Sequence, residues 1–564
     1  VRRAKRAGVT APGDFLGAGC CPATTQKLVQ ELSMTFNWQN HYPTTRIPSF
    51  ARNVVSTSHP IAAQAGLNML LAGGNAVDAA IAVAAMLTVV EPVSHGLGSD
   101  AFAIVWEGQQ LHGLNVSRPA PQALDLAHFC QRYGEDGVGH AERLVRGWDS
   151  VTVPSAVVGW TALDERFGKL LFADLLKPAA KVAKLGITLA STVAHKWAGV
   201  VPLLNTQPGF AEVFMPGGHA PRTGEKFVLK DAARTLRLTK GRLPKRLLTS
   251  RVRRVALCHW RTCAIISRSG LRLSPSLTGG YDVHEITPNR QGIATLIALG
   301  TLERFDLASL PLDFAQSQHL QIEAMKLAFA DIYCYVADPS SIDVIPEQML
   351  DDSYLDSRGK FINPAKASDS GFGMPRSGGT VYLSVADENG MMISFIQSNY
   401  MVFGSGIVVP EYGISLQNRG AGFSSDPASA NFVAPGKRPF HTIIPAFLTK
   451  DSKPKLSFGV MGGDMQPQGH VQTLVRMLDY HQQPQAACDA PRWKVNRDFS
   501  ADLEDTLAAV TVDDLRDLGH WLKSVEDPYM DFGSGQFIWR LSDDPDHGYV
   551  AASDSRRDGH AAGF

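Results

Sequence analysis

The chain has 564 residues, with 54 Lys and Arg against 54 Asp and Glu and a pI near 7.4. Hydrophobic residues make up 44% and charged residues 19%, an ordinary globular composition that excludes a disordered, collagenous or disulfide-framework chain. The balanced charge gives no reason to expect nucleic acid or a membrane surface as a partner. Cys20, Cys21, Cys130, Cys258, Cys263, Cys334 and Cys488 show no zinc or redox spacing, so no metal or cofactor is called for, and their number fits a reducing compartment.

The N-terminal VRRAKRAGVTAPGDF is basic but has no apolar segment after it, so no secretory signal is visible. A cytoplasmic location is expected, with the periplasm as the alternative. Met34 opens MTFNWQNHYP, and residues 1–33 read as an over-extended gene start or a disordered tail. A helix is predicted over 59–72, with Pro60 in its first turn and Gly73-Gly74 as its stop. A second, AVDAAIAVAAMLTVV at 76–90, is apolar throughout. It carries Asp78 and falls short of the roughly 20 residues a membrane span needs, so it reads as a buried helix. SHGLGSDAFAIVWEGQQLHGLN predicts a glycine-rich turn and a hairpin that bends near Gly108. Helical patterns follow in LLKPAAKVAKLG, at 292–305 and at 316–335.

The stretch 232–281 has twelve Lys and Arg and no acid, with neither helical nor alternating periodicity. It reads as a nucleic-acid patch, a solvated basic loop or, the favoured reading, an out-of-frame translation. Without these twelve charges, 42 basic residues face 54 acidic ones, so the rest of the chain is acidic.

Farther on, 381–386 alternates, Asn389-Gly390 supplies a turn and 391–398 runs as a second strand. Short strands are predicted at 407–409 and 414–416, longer ones at 440–448 and 456–460, and a helix at 467–480. Hairpins flanked by helices suggest antiparallel sheets covered by helices, an α+β fold.

Ser377-Gly378-Gly379-Thr380 runs straight into a strand. As plain structure, the glycines loosen a loop and a β-branched residue opens a strand. As chemistry, flexible glycines let a hydroxyl attack the carbonyl before it, and cleavage frees an α-amine. The reference pKa of that amine, about 7.7–8.0, suits a base for its own hydroxyl. Gly462-Gly463 ends another strand. It is either a strand–helix turn or a pair of N–H groups aimed at an oxyanion.

Beyond these motifs, the chain resembles the γ-glutamyltranspeptidase family of N-terminal-nucleophile hydrolases. The resemblance rests on SHPIAAQAGLNMLLAGGNAVDAAIAVA, VVEPVSHGLGSDAFAIV, GGTVYLSVADENG, FGSGIVVPEYGISLQN, GKRPFHTIIPAF, GVMGGDMQPQG and the closing SDSRRDGHAAGF. It implies a four-layer αββα sandwich made by a proenzyme that cuts itself into two associating subunits. Here the cut falls between Gly379 and Thr380, giving a large subunit from 34–379 and a small catalytic subunit from 380–564. Thr380 is then the nucleophile, Gly462 and Gly463 the oxyanion donors, and Ser398 the hydroxyl that orients the nucleophile's amine.

The acyl end departs from the family pattern. Gly422 stands where transpeptidases proper carry a carboxylate for the γ-glutamyl amine. His441-Thr442 replaces the paired serines, Tyr400 replaces an asparagine, and the clamp arginine falls at Ser117 or Arg118. Arg118, Asn399, Tyr400, Arg419, His441 and Thr442 are the expected substrate contacts. A lost carboxylate and an added Arg419 disfavour an ammonium. An acyl group ending in a carboxylate or carbonyl is favoured instead, as in the family's acylase branch. The expected function is hydrolysis of a small-molecule amide, γ-glutamyl or glutaryl-like, through an acyl-Thr380 ester, with transfer to amines as a second outcome. The rival reading is a non-processing binding protein.

Overall fold

The computed structural model describes residues 46–133, 145–239, 264–265, 269–272, 281–286, 288–368, 379–523, 525, 532–544 and 546–564. Residues 1–45 and most of the basic stretch 232–281 lie outside the described residues.

Two seven-stranded sheets stack face to face among the described residues. In the first, the strands run Ser49–Ala51, Tyr549–Ser553, Ser534–Arg540, Lys453–Met461, Ala446–Lys450, Tyr281–Glu285 and Ser269–Arg272. In the second they run His560–Gly563, Val54–Thr57, Gly379–Ala386, Met392–Tyr400, Asp100–Glu107, Gln110–Asn115 and Ala264–Ile265. Among the described residues, every pairing within these two sheets is antiparallel. Strands from before and after Thr380 are interleaved in both sheets, so neither part of the sequence owns a sheet.

Side-chain alternation sorts three cores. Val381, Leu383, Val385, Ile393 and Phe395 face the helices Pro60–Leu71, Ala76–Val90 and Phe172–Leu185. Leu448, Leu456, Phe458 and Val460 face Gly292–Leu302, Ala315–Tyr335 and Met465–Leu478. Between the sheets lie Phe102, Tyr382, Ile396, Phe447, Met461 and Ile538. This is the expected αββα sandwich. All fifteen residues of Ala76–Val90 are buried, and the helix is closed at its start by a capping box between Asn75 and Asp78. No helix among the described residues is long and apolar enough to cross a membrane.

One strand differs from expectation. The stretch 440–448 was predicted as a single strand, but the observed strand is Ala446–Lys450. Pro445 has no N–H for a ladder. The residues before it bond elsewhere: the His441 N–H donates to Asn289 O, the Gln291 N–H to His441 O, and the Ile444 N–H to Gln466 Oε1.

Candidate active site

Thr380 lies at the start of the strand Gly379–Ala386, where pairing with Met392–Tyr400 shifts between Gly379 and Val381. Such a bulge re-aims one side chain at a strand end. Thr380 is buried, and its Oγ1 is 3.1 Å from Ser398 Oγ. Ser398 Oγ also accepts the Tyr400 N–H at 2.7 Å. Ser398 faces the other sheet, like Ser394 and Ile396 on the same strand.

Contacts between the sheets run in step. Ser384 Oγ meets Ser457 Oγ at 2.9 Å, and the Tyr382 ring covers Gly459 so closely that a Cβ there would clash. Continued by two residues along each strand, this step points Thr380 towards the Met461–Gly462 end of Lys453–Met461. Gly462 and Gly463 have φ of 132° and 60°, values an L side chain resists. Their carbonyls enter the first turn of Met465–Leu478, accepting the Met465 N–H at 3.0 Å and the Gln466 N–H at 3.3 Å. Their own N–H groups donate to no backbone acceptor among the described residues.

Beside Ser398, its cross-strand partner Asp100 opens a second cluster. Arg419 donates Nε to Asp100 Oδ2 at 3.0 Å, Nη2 to Oδ1 at 3.2 Å and Nη1 to Thr442 Oγ1 at 3.1 Å. Its guanidinium lies 4.5 Å over the Tyr400 ring, and only 1% of its side chain is exposed. Burial works to raise the Asp100 pKa, but Arg419 and His441 together outweigh it and bring it down to about 2. Burial, then the Arg419 charge, push His441 down to about 4 against the pull of Asp100. The neutral ring is assigned as donating Nε2–H to Asp100 Oδ2 at 2.7 Å and accepting the Ile443 N–H on Nδ1 at 3.4 Å.

The other expected contacts divide. Ser117 Oγ reaches Asn289 Oδ1 at 3.4 Å, and Asn289 holds the His441 loop; Arg118, next in the chain, is half-buried. Its side chain makes no hydrogen bond or ion pair among the described residues. Asn399 falls on the opposite face of its strand from Ser398, where its amide accepts from Ser99 and donates to Ser415. The structure therefore does not bring Asn399 to the other candidates. Gly422 is closed in: a Cβ there would press into the Phe440 carbonyl oxygen, so a carboxylate side chain does not fit on this backbone.

Sequence reasoning missed two members. Asp100 carried a faint signal, an acid heading the apolar run DAFAIV. Gln291 carried none. It is fully buried, and its Nε2 donates to Thr442 O at 2.6 Å and to Gly463 O at 2.8 Å. The repulsion expected of Arg419 is also altered, because Asp100 neutralises it.

One further set has metal-ligand spacing among the described residues: His319, Glu323 and His520, with ligand atoms within 4.8 Å of one another. Its atoms are already engaged. His319 Nδ1 meets His520 Nε2 at 2.7 Å, His319 Nε2 meets Asn363 O at 2.8 Å, and Glu323 takes Lys326 Nζ at 2.8 Å and the Ser368 N–H at 2.9 Å. The ammonium supplies the positive charge that an ion would bring, so the cluster closes on itself.

The chain matches the family model described as gamma-glutamyltranspeptidase over residues 62–246 and 269–564. The unmatched interval falls inside the acid-free basic stretch. The chain is 33% identical over 546 residues to the glutathione hydrolase-like YwrD proenzyme of Bacillus subtilis, covering 91% of this chain and 98% of that protein. It is also 33% identical over 531 residues to the oxamate amidohydrolase proenzyme of Klebsiella pneumoniae, covering 90% and 97%. The crystal structure of cephalosporin acylase from Bacillus halodurans superposes with a TM-score of 0.82 at 39% identity, covering 94% of this chain and 99% of that one. The chain belongs to the γ-glutamyltranspeptidase family, as an amide-cleaving enzyme of it.

Proposed function

We propose that this protein is a self-processing threonine hydrolase that cleaves small-molecule amides through an acyl-Thr380 ester. The observation that carries the reading is Thr380 Oγ1 at 3.1 Å from Ser398 Oγ, on the strand register that faces the two unused N–H groups of Gly462-Gly463. In the first reaction, the Thr380 hydroxyl attacks the Gly379 carbonyl, and an N-to-O acyl shift followed by hydrolysis frees the Thr380 amine. That amine, near its ordinary pKa of about 7.7–8.0, takes the hydroxyl proton in each later turnover, with Ser398 orienting it. The glycine N–H groups receive the negative charge that develops on the substrate oxygen. The two products, 34–379 and 380–564, share both sheets and stay associated.

Arg118, Tyr400, Thr442 and the Asp100–Arg419–His441 cluster form the acyl end. With Gly422 sterically closed and Asp100 committed to Arg419, no free carboxylate is offered to an ammonium. Arg118 and the remaining guanidinium donors favour an acyl group that ends in a carboxylate, such as glutaryl, over γ-glutamyl. The relatives' names include an acylase and an amidohydrolase alongside glutathione hydrolases, so amide cleavage is common to them while the acyl group differs. Water takes the acyl group, with amines as the alternative acceptor. The setting is cytoplasmic on this reading, in keeping with the thiols of Cys334 and Cys488. Neither nucleic acid nor membrane enters it.

A mass spectrum of the purified protein and kcat/KM for glutaryl and γ-glutamyl p-nitroanilide test it. Two fragments joined at Gly379/Thr380 and a higher value for the glutaryl substrate are expected. An uncut, inactive chain would remove the assignment.

A further inference from the structure

Gln291 stands directly before the helix Gly292–Leu302, and its side chain is committed entirely inward. Both hydrogens of its amide nitrogen are used, on Thr442 O at 2.6 Å and Gly463 O at 2.8 Å. Its backbone N–H donates to His441 O at 3.1 Å. One residue thus joins the loop of the acyl end to the turn that presents the glycine N–H groups. A buried carboxamide costs free energy unless its partners are well placed, and here the Gln291 Oε1 atom is left with no partner among the described residues. A residue selected for packing alone would not carry that cost.

The geometry of the turn says what the contact does. Gly463 O belongs to the peptide that carries the Asp464 N–H, so holding it towards Gln291 and the Met465–Leu478 helix fixes the peptide plane directly after the two glycines, while the Gly462 carbonyl, whose peptide carries the Gly463 N–H, is held by the Met465 N–H at 3.0 Å. Both residues are glycines with positive φ, so nothing in their own side chains restrains the turn. Among the described residues, Gly463 O otherwise accepts only the Gln466 N–H, at 3.3 Å.

We infer that Gln291 is a positioning residue that locks the Gly462-Gly463 oxyanion turn to the Thr442 loop, so that filling the acyl end and stabilising the oxyanion are mechanically joined. The inference rests on the proposed role of Thr380 and the two glycines. Donors that must wander into place forfeit the advantage of a preorganised site. Loss of Gln291 should therefore fall on kcat, and on self-processing, more than on KM.

The test compares the wild type with Gln291→Leu, which keeps the volume and removes both donors, and with Gln291→Asn, which keeps the amide but is one methylene shorter. The probes are glutaryl p-nitroanilide and its thioamide counterpart, in which sulfur is the weaker hydrogen-bond acceptor. Gln291→Leu should lower kcat by about tenfold or more, change KM less than kcat, slow the appearance of the two fragments and shrink the amide-to-thioamide rate ratio. Gln291→Asn should fall between the two and carries the same test if the leucine variant does not fold. An unchanged kcat, or a change confined to KM with an unchanged thioamide ratio, overturns the inference. A wild type that neither splits nor hydrolyses overturns the underlying site reading instead.

Discussion

Around Thr380, two glycine N–H groups have no backbone acceptor and a serine hydroxyl stands ready for the threonine. Around Arg419, some residues away, the charges are matched within the protein: a bidentate pair to Asp100, a bond to Thr442, a neutral His441 on the same carboxylate and a tyrosine ring beneath. On the proposed reading, the reacting end keeps these donors for a charge that exists only during reaction. The acyl end has no such transient charge to meet and has become a rigid, self-neutralised wall. The difference teaches that a charged residue added at a substrate end need not act as a free charge. Its effect depends on what the fold has paired with it.

The largest effect is expected at the reacting end. Thr380→Ala should leave a single 61.0 kDa chain on a denaturing gel and reduce amide hydrolysis by about a thousandfold or more, as loss of a covalent nucleophile does. A variant that still splits at Gly379 would break the comparison outright, because the unused donors would then serve nothing.

At the acyl end, Asp100→Asn leaves a buried guanidinium without its counter-ion, which should cost about 3–5 kcal/mol in denaturant unfolding. The sign with pH follows from the lowered carboxyl. Its folded pKa of about 2 lies below the ordinary 3.8, so its stabilisation is complete above about pH 4 and is lost as pH falls through the folded value. Urea titrations from pH 5 to 2 should show this slope in the wild type and not in the variant. Equal slopes would mean that Arg419 does not depend on Asp100.

A smaller effect separates Arg118 from Arg419. Arg118→Ala should raise KM for glutaryl p-nitroanilide by about tenfold, the loss of one charge-assisted hydrogen bond, with kcat and stability nearly unchanged. An unchanged KM would remove Arg118 from the acyl end. The smallest effect belongs to His441→Gln, which retains a donor for Asp100. The folded pKa of His441, about 4 against the ordinary 6.5, makes wild-type stability decline as pH falls from about 6.5 towards 4. The glutamine variant should lose that decline, and keeping it would place the titration on another group.

Much of the architecture was legible from local pattern. The apolar run AVDAAIAVAAMLTVV marked the Ala76–Val90 helix, because such a pattern is carried by adjacent residues. Asn389-Gly390 marked the hairpin that holds Thr380 and Ser398 for the same reason. The closing strands Ser534–Arg540, Tyr549–Ser553 and His560–Gly563 were not read as strands, and 440–445 was. Ser534–Arg540 and Tyr549–Ser553 are buried almost throughout and so lack clean alternation, His560–Gly563 is only four residues long, and Pro445 broke a ladder that the apolar run suggested.

The sequence by itself determined the fold class and the family, since each rests on motifs whose parts are neighbours in the chain. Only the tertiary structure decided that Asp100 neutralises Arg419 across 319 residues of sequence, that Asn399 turns away from the site, that Gly422 has no room for a carboxylate, and that Gln291 reaches both Thr442 and Gly463. Charge pairing, steric closure and a shared hydrogen bond act through space, and linear order does not record which residues meet there.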